Sequence, residues 1–223
     1  MRSAGIKVAK RGRADARWQR EGGLSRGSHP RPSANGRGPT GPESCTGPER
    51  TEGGACLADV EVKPSRIEGL GVFAARAFRA GQRIRPVNVI REVTLDSPIR
   101  EDLGERLDHC AYPDGKIVLW GFPDRHVNHS CDPNAWELYE GDASYFVARR
   151  EIAAGEEITC DYNINIADGT SWPCRCGSPR CRGEVVGDFF RLPTAWQREY
   201  RPFLAHWFVR RHRERLAELD SRP

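Results

Sequence analysis

The stretch RHVNHSCDPN, Arg125 to Asn134, crowds polar side chains between two strand-like runs, KIVLW at 116–120 and AWELYE at 135–140. A loop that only joins strands does not need Asn128, His129, Ser130, Cys131 and Asn134 together, so this segment reads as functional. His126 and His129 are three residues apart, which on a helix would suggest a metal pair. In an extended segment with Pro133 nearby the same spacing puts them on opposite faces, which speaks against it.

On either side the chain reads as short strands. VEVKPS at 60–65 alternates in polarity, GVFAARAF and RIRPVNVIREVT are β-rich, and SYFVAR at 144–149 and EEITCDY at 156–162 follow. Gly, Pro and Asp turns separate them, with no helical pattern of about 10–15 residues between. This argues against a parallel βαβ architecture and predicts a mostly β fold of small antiparallel sheets. Beyond it, Trp196, Tyr200, Phe203, Leu204, Trp207 and Phe208 recur at helical spacing, which predicts a C-terminal amphipathic α-helix running to Leu219.

The first 58 residues differ in kind. They hold 11 Lys+Arg and 5 Asp+Glu, a net of +6, with 11 Gly and 5 Pro. Such composition cannot bury enough apolar surface to fold, so residues 1–58 are expected to be a disordered basic tail, able at most to touch nucleic acid nonspecifically. The remaining 165 residues carry 24 basic and 26 acidic side chains, a net of −2, and 92–142 alone hold 12 acidic against 4 basic. The formal charge of +4 therefore belongs to the tail. A net-acidic folded part without interleaved lysines and aromatics argues against a nucleic-acid binder. No run of about 18 apolar residues exists to span a membrane. The N-terminus lacks the apolar core of a secretory signal, so a cytoplasmic, reducing setting is expected. Only 4 of the 35 basic residues are lysine, which hints at a GC-rich genome and a bacterial source.

Three cysteines, Cys174, Cys176 and Cys181, fall within eight residues of the Gly/Pro-rich PCRCGSPRCRG. Thiols so spaced suit tetrahedral Zn²⁺, with a fourth ligand to come from Cys131, Cys110, Cys160 or a histidine. Gly69 and Gly71 in EGLGVFAAR allow a ligand or another chain segment to approach the backbone closely. They lack the third glycine of a dinucleotide fingerprint.

In this order the four segments resemble the SET-domain protein lysine methyltransferases. Gly69-Leu70-Gly71 looks like the family's GxG, and RHVNHSCDPN like its R-F-x-N-H-S-C-x-P-N with His126 for Phe. EEITCDY is similar to its E-L-T-x-D-Y, and CRCGSPRCRG to its cysteine-rich post-SET segment. The resemblance implies a SET domain over 59–165, a post-SET zinc segment over 166–185 and a C-terminal helix within 186–223. It implies a knot-like crossing of the NHSC and DY segments, and structural Zn²⁺ held by Cys131, Cys174, Cys176 and Cys181. S-adenosyl-L-methionine is expected against Gly69, Leu70, Gly71, Asn128, His129 and Tyr162, with Trp172 placed to stack on it. Tyr162 is the expected catalytic residue, and the substrate a lysine in a protein or basic peptide. Many relatives carry a second tyrosine after the first strands, yet no Tyr occurs between 60 and 111. That absence raises an alternative, a catalytically silent SET-like module that binds a peptide or protein. Tyr112, Phe122 and Tyr139 are the aromatics left to line a lysine channel.

Overall fold

A computed structural model describes residues 59–141 and 143–221, so the expectation for residues 1–58 lies outside the described residues. Twelve short strands are described: β1 (Val60–Pro64), β2 (Leu70–Ala74), β3 (Arg83–Pro86), β4 (Val89–Glu92), β5 (Cys110–Ala111) and β6 (Val118–Trp120), then β7 (Asn128–His129), β8 (Ala135–Glu140), β9 (Ala143–Ala148), β10 (Glu157–Cys160), β11 (Ala167–Pro173) and β12 (Glu184–Asp188). They form a four-stranded sheet β1-β2-β10-β7, two three-stranded sheets β3-β9-β8 and β4-β6-β5, and the hairpin β11-β12. The fold is mostly β, with small antiparallel sheets as expected and one exception. β7 runs parallel to β10, pairing Asn128 with Thr159 and His129 with Cys160. That pairing lays the NHSC segment beside the one that ends in Asp161 and Tyr162.

Strand β8 joins the two hydrophobic cores because successive side chains point to opposite faces. Ala135 faces a core built from Val60, Val72, Phe78, Ile84, Val127, Phe146, Ile152 and Ile158. Trp136 faces the other way, into a second core with Phe189, Tyr200, Trp207, Phe208, Leu216 and Leu219. The helical C-terminus packs on the β domain through this second core.

The apolar repeat expected as one helix is broken into three: α1 (Thr194–Tyr200), α2 (His206–Arg211) and α3 (Arg213–Ser221). The first break follows from Pro202, which has no N–H to give and whose ring crowds the carbonyl four residues back. The chain tightens into a 3₁₀ turn over Arg201–Phe203 and restarts at His206. The bend sets Phe203 flat on Trp136, with ring centroids 4.5 Å apart, and Tyr200 edge-on to it at 5.1 Å. No helix among the described residues is long and apolar enough to cross a membrane.

Trp136 is 4% exposed and bridges strand and helices. Trp136→Ala should cost about 3–5 kcal/mol, the usual penalty for emptying a large aromatic site, read as a lower midpoint in chemical denaturation.

Candidate active site and metal centre

The turn at 65–71 is held from below. Gly69 has φ of +48°, in the left-handed region where glycine carries no steric cost. Its carbonyl accepts the Ser65 N–H at 2.9 Å. Gly71 is required for a different reason: a Cβ there would lie 2.3 Å from Glu157 Oε1. Of the two occupants that glycine spacing allows, a ligand or another chain segment, the one beside Gly71 is a carboxylate of β10. Ser65 Oγ donates to Glu157 at 2.8 Å, and the Asn128 amide donates to Glu157 at 2.8 Å and to the carbonyls of Glu68 and Leu70 at 3.1 and 3.0 Å. Asn128 thereby ties the glycine turn to β7 and β10, while Leu70 stays 43% exposed at the rim.

His129 links two features of the site. Its Nδ1 accepts the backbone N–H of Tyr162 at 3.1 Å, and its Nε2 lies 3.4 Å from Cys131 Sγ. Burial pushes this imidazole down to about 4, so it is neutral near pH 7. With Nδ1 accepting, the proton sits on Nε2 and is donated to sulfur. His126 belongs elsewhere, packed edge-on to His109 and Phe122, so the two histidines share no site.

The sulfurs of Cys131, Cys174, Cys176 and Cys181 all lie within 4.8 Å of one another. Tetrahedral zinc with bonds of ~2.3 Å needs sulfur–sulfur edges of about 3.8 Å, and the Cys131–Cys174 edge is 3.6 Å. Each sulfur also receives one backbone N–H: Cys131 from Arg182 and Cys181 from Gly183 at 3.4 Å, Cys174 from Cys176 and Cys176 from Cys131 at 3.5 Å. Such donors favour thiolates, the form that binds metal. Burial pushes the Cys131 thiol up to about 11 and Cys174 higher still. Burial also raises Cys176, but the Cys131 N–H and the Ser178 hydroxyl outweigh it and bring that thiol down to about 6. A divalent cation reverses the opposition at the buried pair, so the donor set fits zinc. The other two thiols proposed as fourth ligands, Cys110 and Cys160, lie away from the cluster, lining a nearby cavity.

The cysteine loop is locked to the rest of the protein through Asp161. Arg182 donates to both of its oxygens, at 2.9 and 3.0 Å, and the Tyr200 hydroxyl of α1 donates at 3.1 Å. Burial would raise this carboxyl, yet the facing Arg182 and the Asn163 N–H hold it below the usual carboxylate range. The guanidinium groups of Arg180 and Arg182 also lie over the Trp196 ring, at 4.6 and 5.0 Å.

Tyr162 sits at the centre of these groups. Its hydroxyl donates to the Val127 carbonyl at 2.6 Å, and its ring is 5.4 Å from that of His129 and 6.5 Å from that of Trp172. It lines a cavity of about 120 Å³ with Tyr112, Trp120, Glu137, Tyr139 and Trp207. Tyr112 and Tyr139 are thus the aromatic walls, whereas Phe122 packs on His126. Residues the sequence did not single out include Glu157, Arg182 and Glu137. A visible signal for the last was the alternation in AWELYE, which sets Glu137 and Tyr139 on one face. The acidic 92–142 segment is less bare than its charge suggests. Glu105 pairs with Arg91 and Arg100, Asp114 with Arg210 and Arg211, and Asp132 with Arg149 and Arg180.

Adding a methyl at Gly71 must displace the Glu157 carboxylate and so loosen both Ser65 and Asn128. Gly71→Ala should destabilise the fold by about 1–3 kcal/mol, seen as a lower melting temperature. Wild-type stability in this variant would show that the turn tolerates a side chain.

Comparison with known proteins places this arrangement. The family model described as SET domain matches residues 69–163. Histone-lysine N-methyltransferase trr of Drosophila melanogaster is 37% identical over 138 residues, covering 56% of this chain and 6% of the relative. An H3 lysine-36 specific histone-lysine N-methyltransferase of Candida albicans is 44% identical over 134 residues, 55% of this chain and 16% of the relative. A second so described, from Eremothecium gossypii, is 42% identical over 145 residues, 58% and 21% respectively. The chain thus spans about a fifth or less of the length of these relatives. A solved structure of a Plasmodium falciparum putative histone methyltransferase overlaps 45% of this chain and 90% of its own, at 20% identity and a TM-score of 0.37, too low to add weight. Over residues 69–163 the chain is therefore similar to the SET domain.

Proposed function

We propose that this protein is an S-adenosyl-L-methionine-dependent protein-lysine methyltransferase with one structural zinc held by Cys131, Cys174, Cys176 and Cys181. The observation that carries the reading is the setting of Tyr162: its hydroxyl is committed as a donor to Val127, at the wall of an aromatic cavity, between the glycine turn and the cysteine cluster.

The cofactor, when bound, supplies a methyl group on a positively charged sulfur. The turn at Gly69, Leu70 and Gly71, with Asn128 and His129 beside it, would hold it, and Trp172 would cover it from the post-SET side. The residues already present do the rest. Because its one proton goes to the Val127 carbonyl, the Tyr162 hydroxyl turns lone pairs toward the cavity and can accept an N–H of a lysine amine. An amine so oriented keeps its own lone pair on a fixed line, and fixed geometry of this kind removes a large part of the barrier to a displacement. The amine must first lose its proton, which an apolar channel and a nearby positive sulfur both favour.

The substrate class follows from the same cavity. A long apolar stem with a cationic end suits aromatic walls, by burial and by cation–π attraction. The relatives compared above are histone-lysine N-methyltransferases, so a histone or similar basic tail is the first substrate to try. The missing early tyrosine, which raised the alternative of a silent binding module, is offset by Tyr112 and Tyr139 at the cavity.

The test is transfer of tritium from labelled cofactor to histones and to a basic lysine peptide. Wild type should label lysine, and Tyr162→Phe should lose on the order of 10²-fold in kcat, the scale expected when a reacting group loses its alignment. Its stability should fall by no more than about 1.5 kcal/mol, one hydrogen bond. No label with wild type would favour the binding module, and equal label with Tyr162→Phe would remove Tyr162 from the chemistry.

A further inference from the structure

We infer that Glu137 is the carboxylate that receives the substrate lysine: it pairs with the ammonium in the cavity and takes its proton before methyl transfer. The inference rests on the methyltransferase reading and deepens it.

Four carboxylates line the cavity, and three are already paired. Asp161 is gripped by Arg182 through both oxygens, Asp124 pairs with Arg85 at 2.9 Å, and Asp108 with Arg106 at 2.9 Å. Glu137 forms no ion pair among the described residues, and the hydroxyls of Ser144 and Tyr139 face it. The cavity also carries one guanidinium, Arg125, whose Nε faces His126 at 3.3 Å. A cation entering among Tyr112, Trp120, Tyr139 and Tyr162 therefore meets one carboxylate without a charged partner. The register explains how Glu137 gets there. Its side chain lies on the face of β8 and β9 shared with Tyr139, Ser144 and Phe146, opposite to Trp136. The indole nitrogen of Trp207, 5% exposed on the same cavity, has no hydrogen-bond partner among the described residues, consistent with a wall built to meet polar groups.

The proton balance is complete without another reactant. The Glu137 carboxylate takes one proton from the lysine ammonium, leaving a neutral amine and a carboxylic acid. The nitrogen lone pair forms the N–CH₃ bond as the CH₃–S bond breaks, with its electron pair left on sulfur. The product is a methylated ammonium, and Glu137 returns its proton to solvent. Burial, opposed by the Ser144 and Tyr139 hydroxyls and reinforced by Asp124, holds the Glu137 carboxyl up at about 7, suited to a proton acceptor near neutral pH. The other titratable groups facing this space are Cys160 and Tyr162 at the end of β10, and His109, Cys110 and Tyr112 on the 108–113 segment. Burial puts His109 at about 4 and pushes Tyr139 well above its ordinary value, so neither accounts for a change near pH 7.

Two readouts on the full chain test this. In single-turnover kinetics on a basic lysine peptide, the wild-type rate should fall as the pH drops through about 7. Glu137→Gln should lower it by ~10²-fold or more and abolish that limb, at unchanged cofactor affinity. Glu137→Asp should recover part of the rate. In calorimetry with the cofactor product bound, wild type should prefer the lysine peptide to the same peptide with norleucine, and Glu137→Gln should lose the preference. A glutamine variant that keeps the rate and the acidic limb, or the preference for lysine, overturns the assignment. If that variant does not fold, the wild-type comparison decides: equal affinity for the lysine and norleucine peptides overturns the ammonium contact. Wild type that transfers no methyl sinks the methyltransferase reading and the proton step with it, while the norleucine comparison still decides the ammonium contact.

Discussion

One buried carboxylate holds the site together. Asp161 follows β10 and precedes Tyr162, and it accepts from Arg182 of the cysteine loop and from Tyr200 of α1. Burying a carboxylate is costly unless charge and hydrogen bonds compensate, and here two other parts of the chain supply them. The same compensation fixes distance: the cysteine loop, the C-terminal helices and the end of β10 must meet for the charge to be tolerated. Tyr162, the next residue, inherits that constraint, and His129 adds a second by bonding to the Tyr162 N–H and to Cys131.

Much of this was legible in the residues. AWELYE is β8 residue for residue, and the polar crowding in RHVNHSCDPN marked the segment that pairs with β10. Cysteine spacing picked out three candidate metal ligands, and resemblance to the SET family named a fourth, whose sulfur the structure sets within 4.8 Å of the others. What stayed hidden depends on contacts that no local pattern encodes. Gly71 gave no hint that its neighbour is Glu157, 86 positions away in sequence. The β11–β12 hairpin was missed because ADGTSWP is largely exposed and lacks apolar alternation, the signal by which strands are recognised.

Two further differences have the same kind of origin. The C-terminal repeat has helical spacing throughout, but Pro202 outranks spacing and divides it. Alternation in AWELYE sets Glu137 and Tyr139 on one face without saying what covers that face. Trp136 is buried in the second core and Glu137 lines the cavity, so β8 is covered on both faces and neither of these side chains faces open water. The acidic stretch 92–142 behaves similarly. Among the described residues six of its twelve carboxylates pair with arginines, and for the proposed cationic substrate what matters is the one at the cavity left without such a pair.

The central claim is that residues 131 and 174–181 close around a single ion and thereby fix the wall beside Tyr162. Zinc K-edge X-ray absorption on the purified full chain tests it most directly. The account predicts one zinc per chain with a shell of four sulfurs at about 2.3 Å. A shell containing nitrogen or oxygen, or a protein that retains no zinc, would contradict it.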